Sequence, residues 1–175
     1  LKTYGEISRE LSRRLDPDLT FEVTSDARAA LTGVDYIITT IRAGEDAGRL
    51  FDEQTCLAHG VLGQETTGAG GFAMAIRSVP TLVYYCTLAR EVANPGHLIF
   101  NFTNPSGIIT QALRSKGFDN VYGICDAPSG FIKQLEEILE IPYGTLDIEC
   151  YGLNHLSWFR NAKVNGRDVQ RELLD

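Results

Sequence analysis

The chain has 175 residues, with 16 Lys and Arg against 23 Asp and Glu, and a net charge of −7 at pH 7. With 43% hydrophobic and 22% charged residues it has the composition of a globular protein of one domain, or of one domain and the start of another. The acidic balance argues against nucleic-acid binding, and no apolar run reaches the roughly 18–20 residues that span a bilayer, so we expect neither a nucleic-acid nor a membrane partner.

The cysteines and the N-terminus indicate the compartment. Cys56, Cys86, Cys125 and Cys150 are widely spaced and form no CxxC pair, so they do not indicate a disulfide framework. No basic-then-apolar leader opens the chain. We therefore expect a reducing, cytoplasmic location.

The spacing of apolar residues predicts helices and strands along most of the chain. In chain order we expect a helix over 1–15, a strand over 19–23, a helix over 27–31 capped by Ser25 and Asp26, a strand over 36–41, a helix over 47–59, a loop over 60–72, a helix over 72–92, a strand over 98–102, a helix over 106–115, a strand over 121–124 and a helix over 131–139. The continuous β-branched run at 36–41 is typical of a strand buried on both faces.

This alternation predicts an α/β fold with a Rossmann-like, doubly wound and mostly parallel sheet over residues 1–144. The pattern then changes to strands over 146–151 and 158–164 and a hairpin turn at Asn165-Gly166. We therefore expect residues 145–175 to begin an α+β domain. No GxGxxG loop precedes the first helix, so the first strand and glycine loop of such a fold are missing, and we interpret the chain as an internal fragment of a larger protein.

Polar side chains follow the first long predicted strand at Thr39-Thr40-Ile41-Arg42-Ala43-Gly44. Ligands of doubly wound sheets bind at the carboxyl ends of strands, so we expect Thr40 to contact a cofactor there. Arg42 and Arg49 are the nearest cations, and a guanidinium matches phosphate well. The alternative is that both are solvated surface arginines.

A glycine-rich stretch, Gly63-Gln64-Glu65-Thr66-Thr67-Gly68-Ala69-Gly70-Gly71-Phe72, precedes the long helix. Such a loop can approach a ligand closely, and Glu65 is its only acid. A flexible surface connection is the alternative interpretation.

The next strand ends in Asn101-Phe102-Thr103-Asn104-Pro105-Ser106. We expect the Asn101 and Asn104 amides to bind a sugar, ribose or phosphate, with Asn101 on the cofactor. Helix capping by Thr103 or Asn104, with Pro105 in the first turn, explains the same residues without a ligand.

Cys125-Asp126 follows a further strand, and Asn154-His155 lies in the second region. A thiolate and an imidazole together suit a transition metal. A buried free cysteine and a structural histidine are the alternative. Two protein ligands would leave the metal open to substrate oxygens.

Together these clusters resemble the NAD- and metal-dependent glycosidases of glycoside hydrolase family 4. Any one motif is weak, but five in the same order make the resemblance specific. The matching stretches are Ile41-Arg42-Ala43-Gly44, Gly63-Gln64-Glu65-Thr66-Thr67-Gly68 with Gly70-Gly71-Phe72, Thr103-Asn104-Pro105-Ser106-Gly107, Gly123-Ile124-Cys125-Asp126-Ala127-Pro128, and Tyr151-Gly152-Leu153-Asn154-His155.

The resemblance implies redox-assisted glycoside cleavage within an NAD-binding, lactate/malate-dehydrogenase-like fold. NAD takes hydride from C3 of the sugar, and a divalent metal, usually Mn2+, coordinates the C2 and C3 oxygens. A tyrosine then removes the C2 proton, the leaving group departs, water adds and the hydride returns. Two carboxylates flanking the bond are not required.

The resemblance also implies roles for individual residues. Cys125 and His155 match the metal ligands, and Asp126 matches a general acid. Asn104 and Arg49 match substrate-binding positions, with Arg49 directed at the sugar 6-phosphate, and we expect Arg42 to assist it. Glu65 matches an acid that raises the basicity of the tyrosine, which would lie after the end of this chain. The implied assembly is a homodimer or homotetramer.

The resemblance links the anomer preference to the residue after Cys125, which is Asp126. Cys-Asp-x-Pro resembles 6-phospho-α-glucosidases, whereas Leu153-Asn154-His155-Leu156-Ser157-Trp158 resembles 6-phospho-β-glucosidases; we favour α and keep β as the alternative. A phosphorylated disaccharide or glucoside is the expected substrate. A 2-hydroxy-acid dehydrogenase and a non-enzymatic α/β module remain alternatives of other classes, and metal binding would distinguish the glycosidase from both.

Overall fold

The computed structural model describes residues 2–174. Its elements in chain order are α1 (Lys2–Leu15), α2 (Ala27–Leu31), β1 (Tyr36–Thr39), α3 (Glu45–Ala58), α4 (Gly68–Val92), β2 (Leu98–Asn101), α5 (Ser106–Ser115), β3 (Val121–Gly123), α6 (Ala127–Ile138), β4 (Leu146–Leu153), β5 (Leu156–Val164) and β6 (Arg167–Asp168). Leu1, which the sequence placed in the first helix, lies outside the described residues. The predicted α/β alternation is confirmed.

The first sheet is parallel and has the order β1-β2-β3. Thr39 pairs with Asn101, and Asn101 with Gly123, so all three strands end at the same level. Consecutive parallel strands are joined by helical crossovers, as right-handed α/β units require. This register brings the polar stretches that follow the strands to one edge of the sheet.

One face of this sheet carries the main hydrophobic core. Leu82 and Cys86 of α4 and Ile109 and Leu113 of α5 pack with Ile99 of β2, and all five are almost fully buried. The side chains point inward because α4 and α5 lie on this face of the pleat.

The opposite face is open within residues 2–174, so the expectation that β1 is buried on both faces is wrong for this structure. Tyr36 and Ile38 are 72% and 66% exposed. Tyr36, Phe100 and Tyr122 form an aromatic row across the three strands, with neighbouring ring centroids 6.5 and 6.2 Å apart. The residues of β1 are apolar on both faces of the sheet, but within residues 2–174 helices pack on only one of these faces.

Several elements differ from the sequence prediction, among them α6, which begins at Ala127, four residues before its predicted start, and β6, which was not predicted. Residues 19–23 form no strand, because no described strand offers them a hydrogen-bonding partner; Val23 instead packs against Gly5 of α1. Helix α4 begins at Gly68, four residues before the predicted start, because the Gly-rich stretch continues into the helix. The predicted cap of α2 is confirmed, since Asp26 accepts hydrogen bonds from the backbone N–H groups of Arg28 and Ala29.

Helix α4 is long enough and apolar enough, by length and composition, to cross a membrane. The sequence expectation that no such stretch exists is therefore wrong. In the fold, however, α4 supplies Leu82, Cys86 and Ala89 to the core, and core helices meet the same criteria.

The second sheet is antiparallel and has the order β4-β5-β6. Asn154-His155 forms the two-residue turn between β4 and β5, and Asn165-Gly166 forms the predicted turn between β5 and β6. Asn165 and Gly166 both have positive φ angles, as a type I′ turn requires, whereas in the Asn154-His155 turn only the second residue, His155, has one, as in a type II turn.

A smaller core joins α6 to this sheet through Leu135, Leu146, Ala162 and Val169. The buried carboxylate of Glu136 accepts the N–H groups of Thr145 and Leu146 at 2.9 and 3.0 Å, which ties α6 to the start of β4. The predicted boundary between residues 144 and 145 stays a prediction.

We expect Leu82→Ala to lower the free energy of unfolding by about 3 kcal/mol, because Leu82 has no exposed surface and the truncation leaves a cavity. Leu57→Ala is the matched control, since Leu57 is 63% exposed on α3, and it should cost less than about 0.5 kcal/mol. Urea denaturation followed by circular dichroism measures both. Equal losses would contradict the assignment of the core.

Candidate active site

The carboxyl ends of β1 and β2 border a cavity of about 180 Å³. Exposed Thr40 lies at its edge, and Arg42, Glu65 and half-buried Asn104 lie beside it. The structure therefore brings together four of the predicted site residues that lie far apart in the chain. Thr40 and Asn104 remain able to bind a ligand.

Asn101 does not fit the predicted role in cofactor binding. It is fully buried, and its side-chain amide is used within the protein. Its Oδ1 accepts a hydrogen bond from Thr39 Oγ1 at 2.9 Å, and its Nδ2 donates to Thr110 Oγ1 at 3.2 Å. Because no side-chain atom reaches the surface, Asn101 holds the strand ends together and leaves Asn104 as the amide that faces the cavity.

Glu65 lies between the two predicted arginines. Arg42 donates a short hydrogen bond to Glu65 Oε2, and Arg49 Nη1 lies 3.7 Å from the same oxygen. Arg49 also donates to Glu53 at 2.7 Å, and that hydrogen bond raises the pKa of Arg49. Arg42 is half-buried and Arg49 is exposed, and both are ion-paired, so Arg49 is a surface arginine that is held by carboxylates.

The cluster around Glu65 contains more carboxylates than guanidinium groups, whereas a site that is open to phosphate would carry excess positive charge. Two guanidinium groups, of Arg42 and Arg49, face three carboxylates, of Asp46, Glu53 and Glu65. A phosphate bound by Arg49 would have to replace carboxylate contacts. The arginines are held in place by their partners before any ligand arrives.

The Gly-rich stretch is a tightly packed turn, not a flexible connection. A Cβ atom at Gly63 would lie 2.7 Å from the carbonyl oxygen of Glu53, and one at Gly70 would lie 2.6 Å from that of Gln64. At Gly71 it would lie 2.7 Å from the backbone of Thr66. No side chain fits at these three positions, so the glycines permit the turn to pack against α3 and α4.

Sequence reasoning missed the ion pair beneath the cluster. Arg77 of α4 forms a bidentate pair with Asp52 of α3, and Asp52 is 6% exposed. Arg77 Nε also donates to the carbonyl oxygen of Ala43 at 2.9 Å, next to Arg42. In the sequence, Arg77 is a charged residue within a long apolar segment, and that pattern could have indicated a buried ion pair.

The turn after β3 presents Cys125 and Asp126. The strand ends at Gly123, so both residues lie outside it and need not point to opposite faces of the sheet. Cys125 borders a second cavity of about 320 Å³ with Ser106 and Asn154, while exposed Asp126 occupies the N-cap position of α6 without a capping bond from its side chain.

The hairpin turn brings His155 to Cys125. Cys125 Sγ and His155 Nε2 are 3.5 Å apart. In a tetrahedral zinc site, bonds of about 2.3 Å to sulfur and about 2.0–2.1 Å to nitrogen place the two ligand atoms roughly 3.6 Å apart, so the Cys125–His155 distance is short enough for both side chains to bind one transition-metal ion. Over residues 2–174 no group of three or more His, Cys, Asp or Glu residues forms a metal site.

The other cysteines are poor candidates for metal binding. Cys56 and Cys86 are buried, and burial raises the pKa of Cys86 to about 11, which keeps its thiol protonated. Cys150 is exposed on β4, where its strand partner is Phe159. Cys125 is the thiol that lies beside a histidine.

The family model described as family 4 glycosyl hydrolase matches residues 1–141 of this chain. The chain belongs to the family 4 glycosyl hydrolases. This membership agrees with the resemblance seen in the sequence motifs, and it covers the first sheet and the turn that carries Cys125.

Individual relatives agree with this membership. The chain is 36% identical over 154 residues to a 6-phospho-beta-glucosidase of Escherichia coli K12, covering 87% of the chain and 34% of the relative. A 6-phospho-alpha-glucosidase from gut microorganisms, solved with NAD and Mn2+, superposes with a TM-score of 0.88 at 33% identity, over 97% of the chain and 39% of that structure.

A third similar protein is the 6-phospho-beta-glucosidase of Thermotoga maritima, solved with manganese, NAD+ and glucose-6-phosphate. It superposes with a TM-score of 0.83 at 35% identity, over 96% of the chain and 41% of that structure. The chain thus spans between about a third and two fifths of the length of these relatives. The Rossmann-type fold predicted from the sequence is confirmed.

We expect Arg77→Met to destabilise this family 4 chain by about 3 kcal/mol, because it leaves the buried carboxylate of Asp52 without its partner. Arg160→Met removes an exposed ion pair with Glu149 and should change stability much less, because solvent screens that pair. Thermal and urea unfolding measure the difference. Similar losses in the two variants would show that the Arg77–Asp52 pair does not support the site.

Proposed function

We propose that this chain is part of an NAD- and divalent-metal-dependent 6-phospho-glucosidase. The observation that carries the proposal is the Cys125–His155 pair, 3.5 Å apart, at the same edge of the parallel sheet at which Arg42 follows β1 and Asn104 follows β2. Family membership supports the same reaction class and favours it over a 2-hydroxy-acid dehydrogenase. Glucose-6-phosphate in a similar structure supports a phosphorylated glucoside as the substrate.

Cys125 and His155 are the residues that would hold the metal, with Mn2+ as the proposed ion. When bound, NAD supplies a reversible hydride acceptor for C3 and the metal supplies Lewis-acid stabilisation of the C2 and C3 oxygens. The Cys125 thiolate and the His155 imidazole would hold the ion at the sheet edge, and substrate oxygens would be able to bind at its remaining positions.

The remaining residues bind and orient the sugar. Asn104 offers amide hydrogen bonds from the cavity wall, and Arg49, assisted by Arg42, recognises the 6-phosphate by exchanging carboxylate contacts for phosphate contacts. Glu65 places a negative charge in the same cluster, and the family resemblance gives it the role of making the catalytic tyrosine more basic. Thr40 lies at the end of β1, the edge where a dinucleotide binds in this type of sheet.

Asp126 is proposed as the general acid that donates a proton to the departing oxygen. Its carboxylate is exposed and next to Cys125, so it can approach the leaving group of a metal-bound sugar. We favour a 6-phospho-α-glucosidase because Asp follows the metal cysteine. The β alternative is retained because the similar proteins include a 6-phospho-beta-glucosidase at 36% identity.

Cytoplasmic location and assembly as a homodimer or homotetramer are further proposals. Free thiols at all four cysteines are compatible with a reducing compartment. The assembly proposal rests on the family resemblance alone. Size-exclusion chromatography with light scattering of the intact enzyme tests it, and a monomer would contradict it.

We expect Cys125→Ser and His155→Ala each to abolish high-affinity Mn2+ binding and activity in the intact enzyme, because neither ligand alone holds the ion. Cys150→Ser is the matched control, since its thiol is exposed and away from the pair. Isothermal titration with Mn2+ and hydrolysis of 4-nitrophenyl 6-phospho-glucosides of both anomers measure the effects. Activity that survives exhaustive chelation would contradict the proposed function.

We expect Asp126→Asn to leave Mn2+ and NAD+ binding unchanged and to slow natural 6-phospho-disaccharides far more than 4-nitrophenyl substrates. Only a poor leaving group needs a proton from a general acid. The ratio of kcat/KM for the two substrate types is the measurement. If both slow equally, Asp126 is not the acid, and the argument for the α anomer weakens.

A further inference from the structure

We propose that Gln64 is a positioning residue that fixes the carboxylate of Glu65 between Arg42 and Arg49. This inference rests on the proposed function, because it assigns to Gln64 control over a residue of that site. Gln64 itself does not touch the ion-pair cluster through any described hydrogen bond.

The side-chain carbonyl of Gln64 closes the turn that contains Glu65. Gln64 Oε1 accepts hydrogen bonds from the backbone N–H of Thr66 at 2.8 Å, the backbone N–H of Thr67 at 2.6 Å and the hydroxyl of Thr67 at 3.0 Å. A single oxygen thus binds three donors on the two residues after Glu65. The backbone on both sides of Glu65 is fixed as a consequence.

This arrangement replaces the ordinary start of a helix. Thr67 is the N-cap residue of α4, where a threonine hydroxyl commonly accepts a backbone N–H of the first turn. Here Thr67 makes no such capping bond and donates its hydroxyl to Gln64 instead. A simple cap would stabilise α4 without involving Gln64, so the observed bonds specify the turn before the helix.

The turn is packed closely against neighbouring backbone at two glycines. Gly63 lies directly against the backbone of Glu53 on one side, and Gly70 lies against the carbonyl of Gln64 on the other. The Glu65 side chain extends from this turn and is 21% exposed. Its carboxylate contacts Arg42 and Arg49. A shift of the turn therefore moves the carboxylate relative to both arginines.

The other charged groups near Glu65 come from neighbouring elements. Asp46, Arg49 and Glu53 lie on α3, Arg42 lies in the loop after β1, and the Arg77–Asp52 pair lies below. A displaced Glu65 would lose its contacts with Arg42 and Arg49, which are also paired with Asp46 and Glu53. Misplacement of a catalytic group by about 1 Å is sufficient to cost up to about 100-fold in rate.

A double-mutant cycle in the intact enzyme tests the proposal. Gln64→Leu and Glu65→Gln are made singly and together, and kcat and KM are measured with 4-nitrophenyl 6-phospho-glucosides. We expect Gln64→Leu to lower kcat about tenfold in the native background and less than about twofold in the Glu65→Gln background, because its effect passes through Glu65. Gln64→Glu, which keeps an accepting oxygen, should restore most of kcat.

A matched control separates positioning from stability. Gln170 also uses its side-chain carbonyl to accept a backbone N–H, that of Ala162 at 3.2 Å, but it does so in the second sheet. Gln170→Leu should lower the melting temperature and leave kcat within about twofold, as expected for a change remote from the site. If Gln64→Leu does not fold, Thr67→Val, which removes only the hydroxyl contact, should show the same non-additivity with Glu65→Gln.

The outcomes distinguish this inference from the proposed function. If Glu65→Gln leaves kcat unchanged, the assignment of Glu65 to the active site is wrong, and the role of Gln64 is wrong with it. If Glu65→Gln lowers kcat but the effects of the two substitutions multiply, the active site stands and Gln64 is only structural. A Gln64→Glu enzyme as slow as Gln64→Leu would also overturn the positioning role.

Discussion

The arrangement of the site depends on the hydrogen bonds that Asn101 makes. Asn101 joins β1 through Thr39 and α5 through Thr110, and its backbone carbonyl accepts the N–H of Ile124 after β3 at 3.0 Å. A buried amide with all its groups satisfied holds its neighbours in one arrangement, because any shift leaves a polar atom unpaired in an apolar environment. The strand ends that present Thr40, Asn104 and Cys125 are therefore fixed relative to one another.

Much of this edge could be predicted from the sequence, because it depends on local periodicity and on a topological rule. Apolar runs gave the three parallel strands, and parallel strands necessarily place the residues that follow them on one side. Cys125 and Asp126 were expected to follow the strand end, and they do. The pairing of His155 with Cys125 across 30 residues came from chemistry and family motifs, and periodicity alone would not have found it.

The errors have a common physical cause, which is that tertiary partners decide outcomes that local pattern leaves open. Residues 19–23 alternate as a strand does but have no hydrogen-bonding neighbour in the described chain. Asn101 and Asn104 are the same residue type three positions apart, yet one lies in the core and the other at the surface. The glycines at 63, 70 and 71 indicate mobility in sequence, whereas in the fold they permit close packing against backbone.

The turn that carries His155 would connect the two sheets if a metal ion bound there, because Cys125 follows the first sheet and His155 belongs to the second. His155 has a φ of 58°, a left-handed conformation at the second position of the turn that costs a non-glycine residue about 1 kcal/mol. The turn exists only while β4 and β5 are paired, so a metal bound to both Cys125 and His155 binds the paired form alone. By mass action the ion would suppress local opening of the hairpin, and slower amide hydrogen exchange in β4 and β5 would accompany occupancy of a site that lies beyond their ends.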